Sequence, residues 1–342
     1  MTVAGTHSPP DGAAELHSSA GVIQRIQGTL HSHPVIGPVA ILVITVAVFA
    51  SLNPRFLEPR TLSLLLEQAS VTAVLSIGQT LILLTAGIDL SVGAITVLAS
   101  MVMGKLCADL GIHPALAIGA GIIVAGLCGI SNGLLVTRFR LPPFIVTLGT
   151  LSIFTAIMLL YSNGQTVQGS SLPPVMTMAS EPVRLGSFNI TYGLIVVAVV
   201  TVLVSLAMRN TSWGRHVRAV GDDAPAARLA GVRVQRTLLT VYLCAGVIYG
   251  IGAWVLMGRV GGASPNAVGE INLETITAAV IGGTSLFGGR GGVVGSIVGA
   301  LIVQSFAVGL ALINVDGQYR LLAVGVLVIS AVALDRWIRR VQ

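Results

Sequence analysis

Few side chains in this sequence combine chemical reactivity with an apolar setting, and those that do are mostly carboxylates. The acidic residues in or beside long apolar runs are Glu67, Asp89, Glu270 and Glu274. Acidic residues within a membrane are costly to place, and they commonly mark ion or solute pathways. These carboxylates could therefore couple an ion to transport or contact a polar solute.

Uncharged polar residues within the apolar runs extend this possible pathway. Side chains that could line a path for a hydroxylated solute are those of Glu67, Gln68, Gln79, Thr147, Asn163 and Gln304. The same residues could instead hold helices together, since buried polar side chains form hydrogen bonds between transmembrane helices. The sequence leaves both interpretations open.

The sequence lacks the motifs for ATP binding and metal-dependent catalysis that would indicate an enzyme. The single lysine, Lys105, is followed by Leu106, so no Gly-x-x-x-x-Gly-Lys-Ser/Thr motif is possible. No His-Glu-x-x-His motif occurs, and the six histidines are scattered. We therefore expect a protein with no ATPase site, no catalytic residues and no metal site of its own.

The composition indicates an integral membrane protein. Of 342 residues, 54% are hydrophobic and 9% are charged, whereas a soluble domain has about 25% charged residues. The net charge of +6 could suggest nucleic acid as a partner. Because the basic residues do not cluster with aromatic ones, we interpret them as arginines at membrane edges and expect no nucleic acid partner.

Ten apolar windows are long enough, or nearly so, to cross the roughly 30 Å hydrocarbon layer as helices. They are residues 35–52, 63–85, 91–108, 115–136, 144–161, 191–208, 238–257, 271–287, 292–313 and 320–337. The sequence thus predicts an all-α polytopic membrane protein of about ten transmembrane helices. Residues 1–32 are expected to form a disordered cytoplasmic tail and residues 33–342 the membrane domain.

The distribution of basic residues predicts the orientation. With both termini in the cytoplasm, thirteen of the nineteen Lys and Arg residues lie inside, as the positive-inside rule favours. An odd number of spans would put the basic C-terminus and the basic segment 209–236 on opposite sides. Ten spans with both termini cytoplasmic is therefore the preferred topology.

Two glycine-rich motifs lie between predicted helices. In the first, Gly87 and Gly93 permit tight turns, while Asp89 and Ser91 could cap the following helix or, for Asp89, bind a proton or ligand. The helix cap is the favoured interpretation. In the second motif, glycines are expected to break the helix and to allow close contact between backbones. They are Gly282, Gly283, Gly288 and Gly289.

A basic polar segment, residues 209–236, holds six of the eighteen arginines between two apolar runs. Asp222 and Asp223, followed by proline, resemble the start of a helix. Good helix formers follow and Gly231 is a plausible stop, so a short helix is expected over 222–231. In so apolar a chain, we interpret this polar segment as a docking surface for a partner.

These motifs, in this order, resemble the permease subunits of bacterial ABC importers for monosaccharides, the ribose-permease type. The similarity covers about residues 35–340 and depends on residues 78–81, 85–93, 141–150, 211–215, 226–232 and 282–291. Small departures are Ala86, where many relatives have glycine, Pro142, where many have asparagine or alanine, and Trp213, where phenylalanine or tyrosine is usual.

The resemblance implies a larger assembly in the bacterial cytoplasmic membrane. Two permease copies, identical or different, form the pore within the lipid. Two cytoplasmic cassettes bind ATP and magnesium, and an extracytoplasmic binding protein delivers the sugar. It also implies that the short cytoplasmic helix couples to the ATPase through Asp222, Asp223, Ala226, Ala227, Arg228, Leu229 and Gly231. The permease then works by alternating access.

Two alternatives to the sugar importer remain open from the sequence. An ion-coupled secondary transporter of a small neutral polar solute could use the carboxylates within the spans. A related ABC permease could carry nucleosides or another non-sugar solute. The low charge of the spans favours a neutral polyol over a zwitterion.

Overall fold

The computed structural model describes residues 35–185, 188–267, 269, 271–320, 322, 323, 325, 326, 329, 330 and 333. The expected N-terminal tail, residues 1–32, lies outside these ranges. So does most of the tenth predicted span, although the described residues from 317 onward are helical.

Twelve α-helices follow one another within residues 35–312. They are α1 Ile36–Leu52, α2 Pro59–Leu83, α3 Val92–Ala108, α4 Pro114–Arg138, α5 Pro143–Ser162, α6 Pro174–Thr177, α7 Tyr192–Asn210, α8 Ser212–Asp222, α9 Ala224–Leu229, α10 Val234–Val260, α11 Ile271–Ile281 and α12 Val293–Leu312. Nine of these helices are apolar, and they coincide with the first nine predicted spans. Six helices in the described part of the chain are long and apolar enough to cross a membrane, which confirms the all-α polytopic class.

Local sequence determines where several helices begin and end. Proline occupies the first turn of α2, α4 and α5, where its missing N–H has no helical partner to lose. Helix α5 ends at Asn163 and α10 at Gly261, both in the left-handed conformation. Glycine and asparagine tolerate that conformation best, so they are common helix stops.

Helix α2 lies at the centre of the bundle. It packs against α7, α10, α11 and α12, and every residue from Ala69 to Leu83 is buried. Helices α4 and α10 approach very closely, since a Cβ on Gly129 would lie 2.3 Å from the carbonyl oxygen of Tyr242. Small residues permit such contact, which supplies much of the attraction between helices in lipid.

Short strands pair at the end of the bundle opposite α8 and α9. Strand β1, Val167–Gln168, is antiparallel to β4, Gly262–Ala263, with Val167 opposite Ala263. Strands β2, Pro182–Leu185, and β3, Phe188–Thr191, form a hairpin between α5 and α7. The β1–β4 pair ties the loop after α5 to the residues that follow α10.

Two elements differ from the sequence expectation. Helix α11 ends at Ile281 instead of continuing to residue 287, because the glycines that follow leave the helical conformation. Residues 209–236 are largely helical rather than a loop. Val217 and Val220 bury one face of α8 against the bundle, and this packing stabilises a helix whose other face is basic.

Candidate functional site

Three segments of the chain meet at one end of the bundle. They are residues 84–86 after α2, residues 221–222 at the end of α8, and residues 288–289 between α11 and α12; we call them the three-way junction. The N–H of Gly289 donates to the carbonyl oxygen of Leu84 at 3.0 Å. The junction therefore brings both glycine-rich motifs into contact with the basic segment.

The junction requires glycine at its centre. A Cβ on Gly221 would lie 1.8 Å from the carbonyl oxygen of Leu84 and 2.7 Å from the nitrogen of Gly289. Gly288 has φ +86°, and a Cβ there would lie 2.4 Å from the carbonyl oxygen of Gly221. Such distances are far shorter than van der Waals contact, so the three backbones touch with no side chain between them.

The first motif forms a buried turn before α3. The Asp89 carboxylate accepts hydrogen bonds from the N–H and the hydroxyl of Ser91 at 2.7 and 2.6 Å. The Asn132 amide donates to the Ser91 hydroxyl at 2.9 Å, which links the turn to α4. Burial raises the pKa of the Asp89 carboxyl, and the hydrogen bonds from Ser91 oppose that rise.

The expected cap of α3 by Asp89 or Ser91 is wrong, because neither side chain accepts a hydrogen bond from the first turn of the helix, and another helix supplies the acceptor. The N–H of Gly93, in the first turn of α3, donates to the Asn272 side chain of α11 at 2.7 Å. Gly87 permits the tight turn after α2, since a Cβ there would lie 3.0 Å from the Ile82 side chain. Asp89 and Ser91 thus stabilise the turn itself, while α11 satisfies the start of the helix.

Two of the residues predicted to line the solute path instead hold this turn. The Gln79 side-chain amide donates to the carbonyl oxygen of Asp89 at 3.1 Å and accepts from the N–H of Asp89 at 3.3 Å, in the amide orientation that satisfies both groups. The Thr147 hydroxyl of α5 donates to the carbonyl oxygen of Ile88 at 3.0 Å. Asn163 lies at the opposite end of the bundle, where it ends α5 with φ +52°.

A second polar cluster joins the middle of α2 and α12 to the first turn of α11. The Gln304 amide donates to the Thr72 hydroxyl at 3.0 Å and to the Glu274 carboxylate at 3.2 Å. The Thr72 hydroxyl donates to the same carboxylate oxygen at 3.3 Å. We call these three residues the core polar cluster, because Thr72 and Gln304 are buried within the bundle.

Charged residues extend from this cluster toward the end that carries the strands. Arg259 of α10 lies within electrostatic range of both Glu274 and Glu67. Glu67, with half-buried Gln68 beside it, lies near the start of α2. An open cavity of about 570 Å³ at this end is lined by Arg60, Ser63, Leu64, Glu67, Ser180, Pro182, Asn189 and Thr191.

Helices α8 and α9 present a basic surface beside the junction. The Asp223 carboxylate accepts from the N–H of Ala226 at 2.9 Å and so caps α9. Ala227 is buried against α8 and α10, whereas Leu229 is 91% exposed. Exposed basic side chains on the same two helices are those of Arg215, Arg218 and Arg228. The exposed part of these helices is called the α8–α9 surface below.

The expected short helix over 222–231 is present with shifted bounds. Asp222 ends α8, Asp223 starts the next helix, and Gly231 follows it with φ +83°. The Trp213 indole donates to the Thr240 hydroxyl at 2.8 Å, which fastens α8 to α10. The tryptophan that departs from the family pattern therefore has a hydrogen-bond partner.

Sequence reasoning missed three residues that the structure makes prominent. Gly221 and Thr72 carried no local signal, because their importance comes from distant backbone and side-chain contacts. Arg259 looked like a charge at a membrane edge. A further motif, Gly-x-Ser-x-Gly at residues 129–133, lies in the middle of α4, and its Ser131 hydroxyl donates to Leu127. It lacks the strand-to-helix turn that exposes a nucleophilic serine.

The bundle of long apolar helices defines a multi-pass membrane protein. Residues 61–332 match the family described as the branched-chain amino acid transport system permease component, and the chain belongs to this family. Its similar relatives include the fructose import permease of Rhizobium meliloti, 44% identical over 94% of this chain and 90% of that protein.

Two further relatives are named for other sugars. The D-allose transport system permease of Escherichia coli is 38% identical, over 89% of this chain and 92% of that protein. The ribose import permease of Bacillus subtilis is 36% identical, over 88% and 92%. No solved structure shows significant similarity to the chain.

Proposed function

We propose that this chain is the permease subunit of an ATP-driven importer of a monosaccharide. The observation that carries the proposal is similarity over nearly the whole chain to permeases named for fructose, D-allose and ribose. The family model is named for amino acid transport, but these relatives share 36 to 44% identity with the chain and all are named for sugars.

The α8–α9 surface is proposed to dock on a cytoplasmic ATP-binding cassette. Leu229 is an apolar side chain exposed on the same helix as the basic Arg228, and contact with a partner protein would bury it. Arginine is enriched at protein interfaces because its planar group can bind carboxylates in pairs of hydrogen bonds. The cassette would bind ATP and magnesium, so this chain would need no cofactor of its own.

The same surface sets the proposed orientation. Both glycine-rich loops and the basic helices α8 and α9 lie at one end of the bundle, and the arginine count favours the cytoplasm for that end. The end that carries the short strands would then face outward and receive the sugar from a binding protein. Both termini would be cytoplasmic, and a second permease copy would complete the pore.

The core polar cluster is proposed to lie on the solute path together with Glu67 and Arg259. Carboxylate, amide and guanidinium groups hydrogen-bond well to the hydroxyl groups of a sugar, since each presents several donors or acceptors. The charges of Arg259 and the two glutamates compensate in part, which suits a neutral solute. Movement between inward-open and outward-open states would expose the cluster to each side in turn.

Reconstitution of the whole complex tests the proposal. Proteoliposomes would contain the permease and its cassette, with the loaded binding protein on the outer side and ATP inside. We expect uptake of fructose, ribose or allose that depends on both ATP and the binding protein. The matched control is the permease alone under a proton or sodium gradient, which should give no uptake. Gradient-driven uptake by the permease alone, or ATP-driven uptake of leucine in place of sugars, would contradict the proposal.

A further inference from the structure

We propose that Gly221 is the positioning residue through which α8 moves both glycine-rich loops during transport. The inference rests on the proposed function, because the movement would begin when a cassette binds the α8–α9 surface. The contact of Gly221 in the three-way junction is where that movement would enter the helix bundle.

The contact is between backbones alone. The side of Gly221 where a Cβ would stand faces both the carbonyl oxygen of Leu84 and the nitrogen of Gly289, and these two atoms are hydrogen-bonded to each other. No flexible side chain separates the segments, so a displacement of α8 cannot be absorbed by a change of rotamer. Closely packed protein interiors compress little, and they transmit such a displacement to the atoms in contact.

Each loop passes the movement to different helices. The loop after α2 is bonded through Asp89 to Gln79 of α2 and through Ile88 to Thr147 of α5. The loop before α12 is bounded by a close contact between α11 and α12, where a Cβ on Gly282 would lie 2.3 Å from the carbonyl oxygen of Gly295. Through the two loops, Gly221 is therefore connected to α2, α11 and α12, the three helices that hold the core polar cluster.

The opposite end of α8 is held in place. The Trp213 hydrogen bond fastens its first turn to α10, and Gly214 lies so close to α7 that a Cβ would be 2.2 Å from the carbonyl oxygen of Met208. A helix fixed at its first turn pivots, so the largest displacement occurs at its last residues. Those residues are Gly221 and Asp222, which form the junction.

The first test is Gly221→Ala in the complete complex with its cassette and binding protein. The added methyl group would push α8 away from Leu84. We expect sugar uptake to fall about tenfold or more, with an unchanged sugar KM. The ratio of ATPase activity with loaded binding protein to basal activity should fall toward one. Gly149→Ala is the matched control, since no atom of the described residues lies within 4 Å of a Cβ at that helical glycine, and it should keep wild-type values.

A purely structural defect would lower the amount of assembled complex and leave the ATPase ratio unchanged per complex, which would overturn the inference. Gly288→Ala probes the same contact from the other side and should reproduce the phenotype. Wild-type uptake together with near-normal coupling in Gly221→Ala would refute this inference alone. Absence of sugar uptake by the wild-type complex would instead refute the proposed function.

A second measurement does not depend on the folding of a glycine variant. Spin labels at the exposed residues Ala86 and Ala219 report the distance across the junction. If Gly221 joins the two segments rigidly, that distance stays constant between the ATP-bound and nucleotide-free complexes. The distance from Ala219 to a label at exposed Gln235 of α10, the helix to which the first turn of α8 is fastened, should change. A junction distance that changes with nucleotide would overturn the inference.

Discussion

Backbone conformation, more than side-chain reactivity, distinguishes the residues of the three-way junction. Gly288 and Gly289 have φ of +86° and +72°, and the neighbouring Ala86 has φ +58° although it is not glycine. An L-residue in the left-handed region is strained by contact of its Cβ with the backbone. The departure from the family pattern at Ala86 therefore occurs at a position where glycine fits better.

The strain at Ala86 predicts a stabilising substitution. Ala86→Gly should relieve roughly 1 kcal/mol of left-handed strain, partly offset by the greater freedom of glycine in the unfolded chain. Because the Ala86 side chain is exposed, little packing is lost. We expect the melting temperature in detergent to rise by roughly 1–3 °C.

Ala219→Gly is the matched control for that prediction. Ala219 is exposed and lies within α8, so glycine there should destabilise the helix by about 1 kcal/mol. A melting temperature that falls in both variants would show that Ala86 is unstrained.

The buried Asp89 predicts a pH dependence of stability. Its folded-state pKa is raised by burial, whereas the unfolded value is about 4. Between these two values the folded state binds more protons than the unfolded state, so stability falls as pH rises through that window. Asp89→Asn cannot ionise, and its oxygen can still accept the hydrogen bonds from Ser91.

Melting temperatures measured from pH 4 upward test this prediction. The variant should gain stability relative to wild type as pH rises, until the folded-state pKa is passed. Glu58→Gln, at an exposed carboxylate at the start of α2, is the control and should keep the wild-type pH dependence. Parallel curves for wild type and Asp89→Asn would show that the carboxyl titrates equally in both states.

At the scale of elements, the sequence predicted the short helix α9 but did not predict α8. The capping residues and Gly231 predicted the short helix correctly, because these signals are local. Helix α8 was missed because its buried face is small and its other residues are charged or polar. Its buried positions, Gly214, Val217, Val220 and Gly221, do follow the helical period.

The exposed face of α9 predicts a loss of coupling on charge reversal. Arg228 is exposed and contributes nothing to the buried packing of Ala227. Arg228→Glu should leave the permease folded but place a like charge against an acidic partner surface. Sugar uptake and the stimulation of ATPase activity by loaded binding protein should both fall about tenfold or more.

Arg138→Glu provides the matched control, since Arg138 is exposed at the same end but belongs to α4. It should change uptake much less. Normal uptake and normal ATPase stimulation in Arg228→Glu would show that Arg228 of α9 takes no part in the proposed contact with the cassette.

At the scale of the whole molecule, nine of the ten predicted spans coincide with described helices, because apolar length is a property of consecutive residues. The polar residues of those spans were less predictable. Gln304 and Glu67 lie near other polar groups of α2, α10 and α11, but Gln79 and Thr147 hold a turn, and Asn163 ends a helix. Which polar residues meet depends on how the helices are rotated and packed.

The amino-acid sequence alone determined the membrane class, the helix positions, the basic segment and the family resemblance, since each depends on composition, periodicity or a contiguous motif. Only the tertiary structure decided that two glycine-rich loops touch α8 at Gly221, and that Thr72, Glu274 and Gln304 form one cluster. These contacts join residues far apart in the chain. Their geometry follows from close packing among helices, which no local pattern specifies.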